Sequence, residues 1–133
     1  MADFLRHVKV KVCGITRPED AMAAEELGVD AIGMIFAASK RRVDEAAASE
    51  VAGSVGPFVV KVGVFRDQPL DEVLRVSSRL RLDVVQLHGR EDAGFAAAVR
   101  QEVPVVRAVS AEEAPTPTAL AGYPADAFLL DAR

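Results

Sequence analysis

Apolar residues gather in six short runs, at positions 8–13, 31–36, 58–65, 83–88, 103–108 and 126–131, with most polar positions falling between them. The runs are rich in Val, Ile, Leu and Phe and start 20 to 27 residues apart. Their length and β-branched content predict strands. The intervening stretches carry helical spacing. Thr16-Arg17-Pro18-Glu19 predicts a capping box, with Thr16 as N-cap, Glu19 at N3 and a proline in the first turn. Ala21, Ala24 and Leu27 then share a face, and Gly28 supplies a stop. A second helix is expected from Asp44 to about Val51. A third follows Pro69, with Leu70, Val73, Leu74 and Leu80 on one stripe. A fourth, near 91–100, presents Phe95, Ala98 and Val99 in the same manner. Pro115 and Pro117 confine the fifth to a short turn near 118–122.

Strand and helix alternating at this period predict βαβ units on a parallel sheet. Two architectures compete. A doubly wound open sheet is complete with five or six strands, whereas a (β/α)8 barrel needs eight units and typically about 250 residues. Periodicity and length favour the open sheet. The first strand–turn–helix speaks against a nucleotide-binding version, because Cys13-Gly14-Ile15-Thr16 contains no Gly-rich phosphate loop.

Composition narrows the function more than the fold. Of 133 residues, 50% are hydrophobic and 27% charged, the make-up of a globular domain. With six Phe, one Tyr and no Trp, the core must be built from Val, Leu, Ile and Ala. The net charge of −4 argues against nucleic acid as a partner, since phosphate binding relies on clustered Lys and Arg. The one basic cluster, Lys40-Arg41-Arg42, is too short for such a footprint but long enough to hold a small anion. A single cysteine, Cys13, allows no intrachain disulfide. Residues 1–7 are too short and polar for a signal peptide, and no apolar run approaches the roughly 20 residues needed to cross a bilayer. The expected compartment is the cytoplasm, with no membrane partner.

Four candidate groups stand at or just beyond strand ends. Cys13 closes the first strand and, by alternation, shares a face with Lys11. In a parallel α/β fold that carboxyl edge is where ligands bind. A cysteine there is either a small core residue or a nucleophile or base. Asp131 closes the sixth run and is either catalytic or the N-cap of a following element. His88 closes the fourth run, as a structural hydrogen-bonding residue or a catalyst. Arg41 lies in the loop after the second strand, as an anion ligand or a solvated charge. Converging groups from separate strand ends are what a site requires. No His/Cys cluster has zinc-ligand spacing, so no metal is expected.

Taken together, several segments resemble the phosphoribosylanthranilate isomerase family. They are Lys11-Val12-Cys13-Gly14-Ile15-Thr16 followed by Glu19-Asp20-Ala21, the run Gly33 to Phe36 with Ser39-Lys40-Arg41-Arg42-Val43, then Pro57-Phe58-Val59, Val62-Gly63-Val64-Phe65, Val85-Gln86-Leu87-His88-Gly89 and Leu129-Leu130-Asp131. They keep the family's order and spacing, with the second loop one residue shorter than usual. The resemblance covers nearly the whole chain from Val8 and reverses the preference for an open sheet. It implies an α/β (β/α)8 TIM barrel, of which residues 1–133 form a single N-terminal part with about six strands and five helices. It also implies an isomerase of tryptophan biosynthesis that needs no cofactor, acts on a small phosphorylated sugar, and works as a monomer or a homodimer. The reaction implied is the Amadori rearrangement of N-(5-phosphoribosyl)anthranilate. Asp131 would act as general acid, Cys13 as general base and Arg41 as ligand for the anthranilate carboxylate, with Lys11 and His88 in support. Burial is expected to keep Asp131 protonated, and Lys11, one layer below Cys13, to favour its thiolate.

The family's pattern continues past the acid with a Gly-rich loop, two more strands and the phosphate-binding loops, whereas this sequence runs two residues beyond Asp131. The expectation is that 133 residues alone leave the barrel open and inactive, with strand edges exposed to pairing. Two readings compete with the enzyme: a non-catalytic partial barrel that pairs through its edge, and a small open-sheet binding module in which Cys13 is only core.

Overall fold

The computed structural model describes residues 8–113 and 115–132. Residues 1–7, read above as no signal peptide, lie outside the described residues. Among the described residues, six strands alternate with five helices: β1 Lys11–Cys13, α1 Pro18–Glu26, β2 Ala31–Ile35, α2 Glu45–Gly53, β3 Val60–Phe65, α3 Leu70–Leu80, β4 Val84–Leu87, α4 Ala93–Arg100, β5 Val105–Ser110, α5 Pro117–Ala121 and β6 Ala127–Asp131. A one-turn 3-10 segment, Ala111–Glu113, precedes α5.

All strands are parallel and lie in sequence order, β1-β2-β3-β4-β5-β6. A doubly wound sheet reverses direction at a switch point and places helices on both faces. Here every crossover steps to the next strand in one direction, which puts all helices on one side and curls the sheet. This overturns the open-sheet preference drawn from periodicity. The register separates the two faces. Ile32, Met34, Phe36, Phe65, Val85, Leu87 and Val105 face the helices and join Ala21, Val51, Val73, Val76, Ala96 and Val99 in one core. Full burial of each Val or Leu there contributes about 1.5–3 kcal/mol. The stacked rings of Phe36 and Phe65, 5.0 Å apart, sit in the same layer. The opposite, concave face carries Lys11, Cys13, Gly33, Ile35, Val62, Val64, Gln86, Ala108, Ser110, Leu129 and Asp131.

One clamp recurs three times at the amino end of the strands. Asp30, Asp83 and Asp126 each precede an even-numbered strand. Each carboxylate accepts the backbone N–H of Val10, Lys61 or Val105 at 2.8 Å. Each aspartate's own N–H returns to the carbonyl of that same residue, at 2.8–2.9 Å. A rigid two-bond ring thus starts every second strand pair.

The expected capping box does not form. Arg17, not Thr16, is the N-cap of α1, with φ −134° and ψ 144° and no side-chain cap bond. Pro18 supplies the reason: a residue before proline is excluded from helical backbone, so Arg17 cannot be the first helical residue. Its guanidinium pairs instead with Asp20 at 3.0 Å. Asp44 and Asp92 do cap α2 and α4. Some strands begin later than their apolar runs; Phe58 is 97% exposed and lies before β3. Among the described residues, no helix is long and apolar enough to cross a membrane.

Candidate active site

The residues singled out from the sequence meet at the carboxyl ends of the strands, and the concave face brings them together in two groups. The first begins on β1. Cys13 ends that strand, and Gly14 follows with φ +87°, a conformation available to glycine at little cost. The N–H groups of Gly14 and Ile15 both donate to the Gly33 carbonyl, at 2.9 and 3.0 Å. Arg41, from the loop after β2, donates through Nη1 to the Cys13 carbonyl at 2.9 Å. Its guanidinium lies over Gly14, where an added Cβ would stand 2.7 Å from Nη1. Gly33 opens equivalent room on β2: a Cβ there would stand 2.8 Å from Cys13 Sγ and 3.2 Å from Lys11 Cε. Small residues therefore create the seats of Cys13 and Arg41.

The second group crosses the curl of the sheet. Lys11 Nζ donates to Gln86 Oε1 at 2.7 Å. On a flat sheet β1 and β4 would stand three strand spacings, about 14 Å, apart. The bond therefore measures how far the sheet has curled. Gln86 Nε2 lies 3.2 Å from His88 Nδ1, and His88 Nε2 lies 3.0 Å from Asp131 Oδ2. His88 and Asp131, with Arg66, Ser110 and Glu113, line an open cavity of about 380 Å³ at the strand ends. Cys13 and Arg41 are not part of its wall. The Asp131 side chain is partly buried, 35% exposed.

Behind His88 a buried network fixes the loop after β4. The Glu91 side chain, 2% exposed, accepts from the backbone of Asp67 at 2.8 Å and of Gly89 at 2.9 Å. Arg107 donates to the Gly89 carbonyl at 2.7 Å and to Glu91 at 3.1 Å, and its guanidinium stacks over the Tyr123 ring. Tyr123 Oη donates to the Glu91 carbonyl, and burial pushes its phenol above the ordinary value. Sequence reasoning gave no role to Gln86, Glu91 or Arg107. Gln86 had a legible signal: a polar residue two before His88 on an otherwise apolar strand must share the histidine's face. Arg107 had the same kind of signal, a charge inside the apolar run 103–108, whereas Glu91, at the start of the fourth helical stretch, read as an ordinary surface charge. Of the expected supporting residues, Lys11 is hydrogen-bonded to Gln86 rather than to Cys13.

A singly wound parallel sheet with its polar side chains gathered at the carboxyl rim defines the (β/α)8-barrel class, whose sites are built at that rim. Comparison with known proteins narrows the class. The family model described as N-(5'phosphoribosyl)anthranilate (PRA) isomerase matches residues 10–133. The N-(5'-phosphoribosyl)anthranilate isomerase of Deinococcus radiodurans is 48% identical over 107 residues, 80% of this chain and 51% of that protein. The crystal structure of phosphoribosyl anthranilate isomerase from Thermus thermophilus superposes with a TM-score of 0.86 at 50% identity, covering 93% of this chain and 62% of that one. A phosphoribosyl anthranilate isomerase crystallised with reduced 1-(o-carboxyphenylamino)-1-deoxyribulose 5-phosphate superposes at 0.76 and 38% identity, over 77% and 54% of the two chains. The chain belongs to the phosphoribosylanthranilate isomerase family. It spans between about half and three-fifths of the length of these relatives.

Proposed function

We propose that the protein isomerises N-(5-phosphoribosyl)anthranilate to 1-(2-carboxyphenylamino)-1-deoxyribulose 5-phosphate, a cytoplasmic step of tryptophan biosynthesis. The observation that carries this reading is the register of β1 and β6, which turns Cys13 and Asp131 onto one concave face at one rim. Asp131 donates its proton to the furanose ring oxygen as the C1–O bond breaks. The anilino nitrogen lone pair then forms the C=N bond of the Schiff base. Cys13 removes the proton from the sugar's second carbon, and the electrons of that C–H bond neutralise the iminium to give an enolamine. Tautomerisation of the enolamine yields the ketose, so no atom is gained or lost. A positioned acid and a positioned base suffice for these steps, and such a pair contributes about 10²–10⁴-fold in rate. Arg41, anchored on the Cys13 carbonyl beside the base, holds the substrate's anthranilate carboxylate through a charge-assisted bond.

Loss of anthranilate fluorescence measures the reaction. The assay is run on this chain and on a chimera extended with the sixth helix and the seventh and eighth strand–helix units of a relative. In whichever form is active, Cys13→Ser and Asp131→Asn should each lower kcat by about 10²–10⁴-fold with little change in the circular dichroism spectrum. A folded chimera without isomerase activity, or one whose activity survives both substitutions, refutes the assignment.

A further inference from the structure

The bonds linking β1 to β6 have a direction that only one arrangement of protons satisfies. A lysine ammonium donates and never accepts, so Lys11 Nζ at 2.7 Å requires that Gln86 turn its carbonyl oxygen toward it. The carboxamide is planar, and its nitrogen is then committed to the His88 side. That NH2 group only donates, so His88 Nδ1, 3.2 Å away, must offer its lone pair. The imidazole is therefore neutral, with its one hydrogen on Nε2, aimed at Asp131 Oδ2 at 3.0 Å. Gln86 is 3% exposed, so water cannot readily replace either of its partners. Lys11 sits on β1, Gln86 and His88 at the end of β4, and Asp131 on β6.

We infer that Lys11 and Gln86 are positioning residues that lock His88 in the Nε2–H tautomer and so fix which oxygen of Asp131 carries the transferable proton. A carbonyl oxygen accepts a hydrogen bond better than an acid's hydroxyl oxygen, so an Asp131 acid that keeps the Nε2–H bond on Oδ2 holds its proton on Oδ1. After donation, the same Nε2–H stabilises the carboxylate on Oδ2. Lys11 thereby acts on the acid at the far side of the site rather than on its neighbour Cys13. The catalytic half of this inference rests on Asp131 being the acid, whereas the tautomer does not.

The test reads the two halves separately. In 15N-labelled protein, the nitrogen and proton shifts of His88, assigned against His88→Asn, should show Nε2 protonated and Nδ1 bare. Gln86→Glu replaces the donor with an acceptor, and the glutamate carboxylate then calls for a hydrogen on Nδ1. The His88 signal should change to an Nδ1-protonated form. Lys11→Met releases the carboxamide to turn over and should give a mixture of tautomers. In the active form, both variants should lower kcat by at least about tenfold, and by no more than the about 10²–10⁴-fold of the whole acid–base pair, with KM nearly unchanged. A His88 whose Nδ1 stays bare in both variants overturns the lock. A tautomer that switches while kcat stays at the wild-type value overturns the role in catalysis. If Asp131→Asn also leaves kcat unchanged, it is the functional assignment that fails, and the lock stands as a structural fact.

Discussion

Replacing Glu91 by Gln removes one negative charge and one acceptor from a buried polar cluster. Three donors converge on the two carboxylate oxygens: the N–H of Asp67 at 2.8 Å, the N–H of Gly89 at 2.9 Å and Arg107 Nη1 at 3.1 Å. A glutamine keeps a single acceptor oxygen. Whichever way it turns, its NH2 faces at least one of those donors, and a buried donor left unsatisfied costs about 1–3 kcal/mol. Arg107, only 15% exposed, also loses its counter-charge. Deleting one member of a buried ion pair outright costs about 3–5 kcal/mol, and glutamine retains part of the bonding, so about 3 kcal/mol is expected. For a domain of this size that lowers Tm by roughly 10–15 °C. Urea unfolding followed by far-UV circular dichroism gives the change in stability, and hydrogen exchange at the Asp67 and Gly89 amides locates it. Adding Arg107→Met to Glu91→Gln removes the stranded cation, so the two substitutions should be coupled by about 1 kcal/mol or more. A loss below about 1 kcal/mol for Glu91→Gln, or strict additivity in the double variant, would refute the view that this network anchors the loop behind His88.

Asp126→Ala breaks one of the three strand-starting clamps and should cost about 1 kcal/mol, a value that allows for its 40% exposed side chain. The backbone N–H of Val105, and after it Arg100, holds this carboxyl below its ordinary value of 3.8. Its folded value is the depressed one, so its contribution is complete above the ordinary value and disappears as pH falls through the lower one. The gap between wild type and Asp126→Ala in urea titrations should therefore close below about pH 4, and a gap that is constant from pH 7 to pH 2 would contradict the clamp. Gly14→Ala meets a φ of +87° and the Arg41 guanidinium, so it should raise KM more than it lowers kcat; an unchanged KM would show that Arg41 does not hold substrate.

Element order was legible because each strand and helix announces itself within a few residues, by β-branched runs and helical stripes. The sense of winding was not legible from periodicity, and only the resemblance to the isomerase family pointed to the barrel. Five βαβ units of similar period serve an open sheet or a barrel equally well, and the choice depends on whether consecutive crossovers step in one direction. That is a property of the whole chain and leaves no local mark. Strand starts were misjudged because apolar content was taken for burial: Phe58 is apolar and 97% exposed, whereas β5 begins where Asp126 clasps Val105. The clamps themselves were in plain view as Asp30-Ala31, Asp83-Val84 and Asp126-Ala127. Their recurrence before alternate strands is the signal that was missed.

For the site, the types of residue were readable and their partners were not. Alternation put Lys11 and Cys13 on one face, and sequence nearness then suggested that the lysine serves the cysteine. Neighbours two apart on a strand, however, point the same way and stand about 7 Å apart, while a long side chain reaches inward. Lys11 therefore finds its partner on β4, across the curl. In a closed or closing sheet the concave side chains converge toward an axis, and contact between distant strands replaces contact along one strand. The lysine, the glutamine, the histidine and the aspartate lie 75, 2 and 43 residues apart in sequence and yet form one directed line. Its direction follows from the one member that can only donate at the β1 end. Curvature decides which groups meet, and donor chemistry then decides where each proton sits.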